Sequence, residues 1–291
     1  MNAAAEREMV SVLIPAYNEP ALAGVVEDVR AELARLGRPY EIIVIDDGSN
    51  VHVASDLPDA ADLRVHRNHV NRGYGASLKE GVRLADGSIL LMVDADGQHR
   101  PSDFSAFLEK MDQGADAALG SRQKIIHSHL WRMPGKWLIK KIAGYLVGRR
   151  IPDPNCGFRA IRAELMKRYV RICPNGFSFS TTTTLILLSE KRDVAFVPLD
   201  VDCRLGKSTV RIRDGIKTVL GVLRTIMLFA PMRVLMPPSV VFLLVGTISF
   251  IRDLFHVNIT QGTLLLLTAG MIFFFFALVA DQIASFRREM V

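Results

Sequence analysis

The stretch ILLMVDADGQH, residues Ile89 to His99, decides the fold. Five apolar residues, Ile89 to Val93, run straight into two carboxylates, Asp94 and Asp96, and a glycine. A short continuous apolar run closed by turn residues reads as a buried strand whose loop begins where the strand ends. The pattern recurs along the first 120 residues. Apolar runs stand at Val10 to Ile14, Ile42 to Ile45, Leu63 to Val65 and Ala117 to Leu119, with helix-length segments near 20–36, 75–85 and 101–112. Strands alternating with helices build βαβ units, so the expected class is α/β with a Rossmann-like, mostly parallel sheet. Ligands of such sheets bind at the carboxyl ends of the strands.

Three loops expected at that end carry chemistry. They are Pro15 to Glu19 after the first strand, Asp46 to Ser49 after the second, and Asp94 to His99 after the fourth. Asp94 and Asp96 stand at i and i+2 directly after a strand, so both can reach one cleft. Two carboxylates that close repel unless a cation lies between them, and oxygen ligands suit Mg²⁺ or Mn²⁺ bridging to a diphosphate. A calcium loop of the EF-hand type is excluded, because the twelfth position counted from Asp94 is Ser105 and no bidentate Glu is present. The GxG at Arg72 to Gly75 follows the wrong strand for a dinucleotide site. Asp46 and Asp47 by themselves read equally as a turn. His127 and His129 are too few to hold a metal and are expected at an interface.

Charge and hydropathy are unevenly spread. Residues 1–121 hold 11 Lys and Arg against 20 Asp and Glu, whereas residues 122–172 hold 13 against 2. The basic block is interleaved with Trp131, Trp137, Ile142 and Tyr145, which suits a membrane surface better than nucleic acid. Residues 234–280 contain only two charges, Arg252 and Asp253. Val234 to Ile251 and Thr263 to Ala280 are each long enough, with their flanks, to cross a hydrocarbon core about 30 Å thick, so a transmembrane hairpin is expected. Arg224, Arg233, Arg287 and Arg288 flank it against Arg252 alone in the link, which places both termini and the α/β domain in the cytoplasm, at the inner membrane. The expected division is a domain over 1–212 with an interfacial helix near 129–150, a second interfacial helix over 213–233, and the hairpin over 234–291. Three scattered cysteines, Cys156, Cys173 and Cys203, exclude a disulfide scaffold. The acidic start MNAAAEREMVSVLIP lacks a signal peptide's basic region.

Read in order, SVLIPAYNE (11–19), IDDGS (45–49), NRGYGASLKEG (71–81), DADGQHRP (94–101), GSR (120–122), DPNCGFRA (153–160) and RLGKSTVR (204–211) resemble the inverting family 2 glycosyltransferases of the GT-A fold. The likeness extends over residues 10–217 and is closest to the branch that glycosylates polyprenyl phosphates. It departs at Thr209, where the family's last motif has Lys, so that its basic role falls to Lys207 or Arg211. It departs again at Lys136, where many relatives carry Ser.

The resemblance implies the following roles. Pro15, Tyr17, Glu19, Asp46, Asp47 and Gly75 would border the nucleotide, with Asp94, Ala95, Asp96 and Gln98 on its sugar diphosphate. Asp94, Asp96 and Gln98 would hold Mg²⁺ or Mn²⁺. Arg204 with Lys207 or Arg211 would add fixed positive charge over the diphosphate, and Arg122, Arg132 and Lys136 would clamp the acceptor phosphate. Asp94, Asp96, Arg122 and Arg204 are therefore the expected catalytic set. Partners would be a nucleotide-sugar donor, UDP-linked before GDP-mannose, a polyprenyl phosphate lipid, the membrane and a second copy of the chain. A lipid monophosphate is already mostly dianionic near pH 7, since its second pKa is about 6, so Asp153 is not expected to act as an essential base. The alternatives are a processive polysaccharide synthase, which would need a QxxRW motif and more spans, and a non-catalytic nucleotide-binding module, which would not need both carboxylates.

Overall fold

The computed structural model describes residues 7–53, 57–122, 144, 148, 151–200, 227 and 230–289. They fall into two compact units, an α/β unit made of 7–122 with 151–200 and a helical unit made of 230–289 with Gly144 and Gly148.

The α/β unit is built on seven strands: β1 (Val10–Ala16), β2 (Tyr40–Asp46), β3 (Leu63–Arg67), β4 (Ile89–Met92), β5 (Ala117–Arg122), β6 (Arg159–Arg162) and β7 (Val194–Leu199). Their order in the sheet is β3-β2-β1-β4-β6-β5-β7. Strand β6 runs antiparallel to both its neighbours, while the other pairs are parallel. Helices α1 (Leu22–Leu36), α2 (Tyr74–Leu84), α3 (Phe104–Asp112), α4 (Ala163–Tyr169) and α5 (Phe179–Ser189) connect them. The α/β expectation holds. Strands β1 and β5 run two and three residues beyond the apolar runs that mark them, because the sheet continues pairing through Pro15, Ala16 and Gly120 to Arg122.

Every residue of β1 is buried, as expected of a strand covered on both faces. Below it Phe104, Phe107 and Phe158 pack as tilted rings 4.2 to 5.3 Å apart, joining α3 to the start of β6. Buried polar groups stand at both ends of the sheet. At the amino end Ser11 Oγ donates to Glu41 Oε1 at 2.6 Å, and that carboxylate oxygen also accepts from Asp86 N at 2.7 Å, while Glu41 Oε2 is buried without a hydrogen-bond partner. At the carboxyl end Asp46, Gln98 and His99 each keep a buried polar atom with no hydrogen-bond partner.

The helical unit holds α6 (Pro231–Phe255) and α7 (Gln261–Glu289). Both are long and apolar enough to cross a membrane. They pack through small residues: a methyl on Gly246 would stand 2.8 Å from Leu267 and one on Gly270 would stand 2.7 Å from Leu243, while Ser239 Oγ donates to Gly270 O at 2.9 Å. Asp253 closes the link, accepting from Thr260 N, Thr260 Oγ1 and Arg252 Nη2 at 2.8 Å and from Thr263 Oγ1 at 2.6 Å. Helix α6 begins at Pro231, inside the stretch expected as an interfacial segment, and Gly144 and Gly148 group with this unit rather than with the α/β domain. Apart from residues 227 and 230, the rest of the stretches 129–150 and 213–230 lies outside the described residues.

Candidate active site

The register of β1, β2 and β3 sets Ala16, Asp46 and Arg67 side by side at the carboxyl edge. Asp46 is fully buried, accepts Ser49 N at 2.8 Å through Oδ1, and faces Arg67 Nη1 at 3.7 Å with Oδ2. Asp47, next along, holds the following loop: its carboxylate accepts Asn68 Nδ2 at 2.8 Å, Arg72 N at 2.9 Å and Gly73 N at 2.8 Å. Pro15 is buried within β1, whereas Tyr17 is 48% exposed and Glu19 half-buried just beyond it. Asn18, which the sequence reading passed over, ties the first two loops together. Its backbone N–H donates to Ser49 Oγ at 2.9 Å and its Oδ1 accepts Asn50 N at 2.8 Å, with a left-handed φ of 51° that Asn tolerates.

Asp94 lies two residues past β4 and is held on both oxygens. Oδ1 accepts the Tyr74 hydroxyl at 2.9 Å, and Oδ2 stands 3.5 Å from His99 Nε2. Burial pushes its carboxyl up, but the His99 and Tyr74 contacts and the nearby Arg159 charge outweigh that and hold it below the usual carboxylate range. Tyr74 is correspondingly driven well above its ordinary pKa by burial and by Asp94, so it stays a donor. Asp96 follows on the same turn, its Oδ1 accepting Gln98 N at 3.2 Å. Ala95 between them is buried.

Gly75, expected at the nucleotide, is buried and packs against the loop at 174–176. A methyl there would come within 2.3 Å of Pro174 O. Its missing side chain is what lets that loop approach α2.

Arg159 is a further site residue not singled out from sequence. It is 1% exposed in β6, donates from Nη1 to Ser180 O at 2.8 Å and from Nη2 to Cys156 O, and leaves Nε unpaired. Burial lowers its pKa, and its charge acts on both Asp94 and Asp153. Its signals in the sequence were an arginine inside the apolar run Phe158 to Ile161 and its place in the motif DPNCGFRA (153–160). Arg122, at the end of β5, forms a two-pronged pair with Asp153: Nε to Oδ2 at 2.6 Å and Nη2 to Oδ1 at 3.2 Å. Burial raises the Asp153 carboxyl, and the Arg122 bonds more than reverse this, so it is held below its ordinary value. A carboxylate so held is a poor proton acceptor. Thr181 Oγ1 and Thr184 Oγ1 of α5 donate to Asn155 Oδ1 at 3.3 Å and Pro154 O at 3.2 Å, fixing this loop. Cys156 and Cys173 are buried thiols pushed up to about 11 by burial, and so unreactive. Arg132, Lys136, Arg204, Lys207 and Arg211 lie outside the described residues, as do His127 and His129.

A mostly parallel sheet with acidic loops gathered at its carboxyl edge, and one antiparallel strand beyond β4, defines the GT-A class of glycosyltransferase folds. Solved structures agree on that fold. Glucosyl-3-phosphoglycerate synthase from Mycobacterium tuberculosis in complex with Mn²⁺, uridine diphosphate and phosphoglyceric acid superposes with a TM-score of 0.59 at 17% identity, over 76% of this chain and 78% of that one. The same enzyme with Mn²⁺ and UDP-glucose gives 0.59 at 17%, over 75% and 79%. The glycosyl transferase family 2 profile matches residues 11–170, and a GtrB C-terminal hairpin profile matches residues 230–286. The chain belongs to glycosyl transferase family 2. Among curated relatives, the undecaprenyl-phosphate 4-deoxy-4-formamido-L-arabinose transferase of Klebsiella pneumoniae (strain 342) is 32% identical over 165 residues, 54% of this chain and 50% of that one. The enzyme of the same name from Shewanella sediminis (strain HAW-EB3) is 30% identical over 199 residues, 63% and 60%. The chain thus spans about half to three fifths of the length of these relatives.

Proposed function

We propose that the protein transfers a sugar from a nucleoside-diphosphate sugar, UDP-linked before GDP-mannose, to the phosphate of a polyprenyl phosphate, with inversion at the anomeric carbon. The observation that carries this reading is Asp94, kept anionic at the carboxyl end of β4 by Tyr74 and His99. The family membership and the names of the curated relatives support it, and undecaprenyl phosphate is the acceptor those names favour.

The residues fit a divalent cation of the Mg²⁺ or Mn²⁺ kind. No three His, Cys, Asp or Glu side chains cluster as a ready-made cage among the described residues. Asp94 and Asp96 are two oxygen donors with supporting contacts, and Gln98 could add its amide oxygen while its unpaired buried nitrogen donates to a phosphate oxygen. A pair of carboxylates leaving room for substrate phosphates and water is the donor set Mg²⁺ takes. When bound, such an ion would neutralise charge building on the departing diphosphate.

The rest of the work falls to the chain's own groups. One oxygen of the dianionic lipid phosphate attacks the anomeric carbon, the bond from that carbon to the diphosphate breaks, and the electron pair leaves with the nucleoside diphosphate. No proton has to be removed from the nucleophile, which agrees with Asp153 being committed to Arg122. Arg122 would present positive charge at the end of β5, joined by Arg132 and Lys136 on the acceptor and by Arg204 with Lys207 or Arg211 on the donor. Holding the two phosphates in line is positioning and charge stabilisation, which suffice for a large rate gain.

The test is mass spectrometry of lipid products from purified protein, undecaprenyl phosphate and a panel of UDP, GDP and dTDP sugars, with Mg²⁺ or Mn²⁺ and with chelator. One new polyprenyl-phosphate-sugar peak that vanishes with chelator is expected. Absence of any product while nucleotide still binds would refute the acceptor assignment. The hairpin would place both ends of the chain in the cytoplasm. A cysteine substituted for Val257, which is 93% exposed in the link, should then react with an impermeant maleimide in right-side-out vesicles. Labelling only in inverted vesicles would reverse the topology.

A further inference from the structure

Phe177 is 82% exposed, whereas Phe104, Phe107, Phe158 and Phe179 of the same unit are buried. It is exposed without being loosely placed. Asn175 O accepts Ala76 N at 3.0 Å, Asn175 Oδ1 accepts Lys79 Nζ at 2.8 Å, and Gly176 O accepts Phe179 N at 3.1 Å, so the loop that carries it is stitched to α2 on one side and to α5 on the other. One face of its ring lies on Tyr74, centroids 5.6 Å apart and planes 21° from parallel. That Tyr74 is the residue whose hydroxyl is bonded to Asp94 Oδ1. A near-parallel aromatic pair therefore starts at the carboxylate assigned to the diphosphate and ends, one ring further out, in an uncovered Phe face.

We infer that Phe177 is the platform on which the donor's sugar ring is seated, an inference that rests on the donor reading above. A pyranose presents a face of C–H groups carrying slight positive charge, and an aromatic ring offers a flat face of negative charge density. A sugar joined to a diphosphate held at Asp94 is the part of the donor within a ring's reach of that point. The nucleobase has a separate aromatic, Tyr17, 48% exposed just past the end of β1, the strand between β2 and β4. A prenyl chain asks only for apolar surface, not for a ring stacked on a tyrosine whose hydroxyl is tied to a carboxylate.

The side chain is exposed, so its replacement leaves the core intact and the full-length protein in detergent can be compared directly. Phe177→Ala, Phe177→Leu and Phe177→Tyr would be titrated by calorimetry in Mg²⁺ with UDP-glucose, UDP-galactose and GDP-mannose, and with UDP and GDP alone. The KM for undecaprenyl phosphate would be measured beside them. Ala and Leu should weaken the sugar nucleotide that the wild type binds by about tenfold, leave the bare diphosphate within twofold, and leave the lipid KM unchanged, while Tyr retains affinity. An equal loss for the bare diphosphate would overturn the proposal in favour of base stacking. A raised lipid KM that Leu rescues would overturn it in favour of a prenyl contact, and unchanged values throughout would remove Phe177 from the site. A wild-type chain that binds none of these nucleotides would overturn the donor reading and the platform together.

Discussion

Asp94→Asn should lower sugar transfer by about 10³-fold or more while the protein stays folded. The amide matches the carboxylate in shape and keeps an oxygen to accept the Tyr74 hydroxyl, so the local packing survives. What it loses is the negative charge that a hard cation requires. Asp96→Asn should do the same, because two carboxylates are the whole protein share of that charge among the described residues. The contrasting substitution is Asp153→Asn, which removes the partner of Arg122 and should leave measurable activity. The pH profile separates the roles further. Asp153 is held low and is ionised throughout the working range, so it cannot supply the acid limb. That limb should rise through about pH 6, as the lipid phosphate loses its second proton, in wild type and Asp153→Asn alike. Rates with metal titration, checked against thermal melts, decide the matter. A dead Asp153→Asn protein that still binds donor would restore a general base, and an active Asp94→Asn protein would remove the metal from the reaction.

How much of this was legible in the sequence depended on whether an element's neighbours were local. Strands β1, β2 and β4 are continuous apolar runs that stop at acidic loops, so both the strands and the edge carrying Asp46 and Asp94 could be read directly. Strand β6 could not, because arginines stand at both its ends, Arg159 buried and Arg162 paired with Glu8 at 2.5 Å, and they break the apolar pattern. Strand β7 contains Pro198, which survives only because β7 is an edge strand paired with β5 alone. Helix α5 is buried all round, so FSTTTTLILLS shows no helical period. The site divides in the same way. Asp94 and Asp96 announce themselves by spacing. The anchoring of Asp47 by Asn68, Arg72 and Gly73, the burial of Arg159 and the exposure of Phe177 all depend on segments far apart in the chain, where spacing carries no information.

Gly157→Ala should cut kcat/KM about 10²-fold with a modest loss of stability, even though Gly157 bears no chemical group. A methyl there would stand 2.3 Å from Asp94 Oδ2 and 2.7 Å from Oδ1, far inside contact distance. The backbone has little freedom to yield, since Cys156 and Phe158 on either side are both buried. The carboxylate must move instead, against the Tyr74 bond on one oxygen and the His99 contact on the other. Turning a short side chain costs the fold little, about 1–3 kcal/mol as for other overpacked sites. Catalysis is less tolerant, because a ligand set has to be held within about 0.5 Å to be productive. The half-saturating metal concentration should therefore rise together with the loss in rate. Gly24→Ala is the matching control, as a methyl on that face of α1 meets nothing within 4 Å and should leave the rate unchanged. Full activity in Gly157→Ala would mean that Asp94 works from a position other than the one its partners define, and the assignment of the site would then have to begin from Asp96.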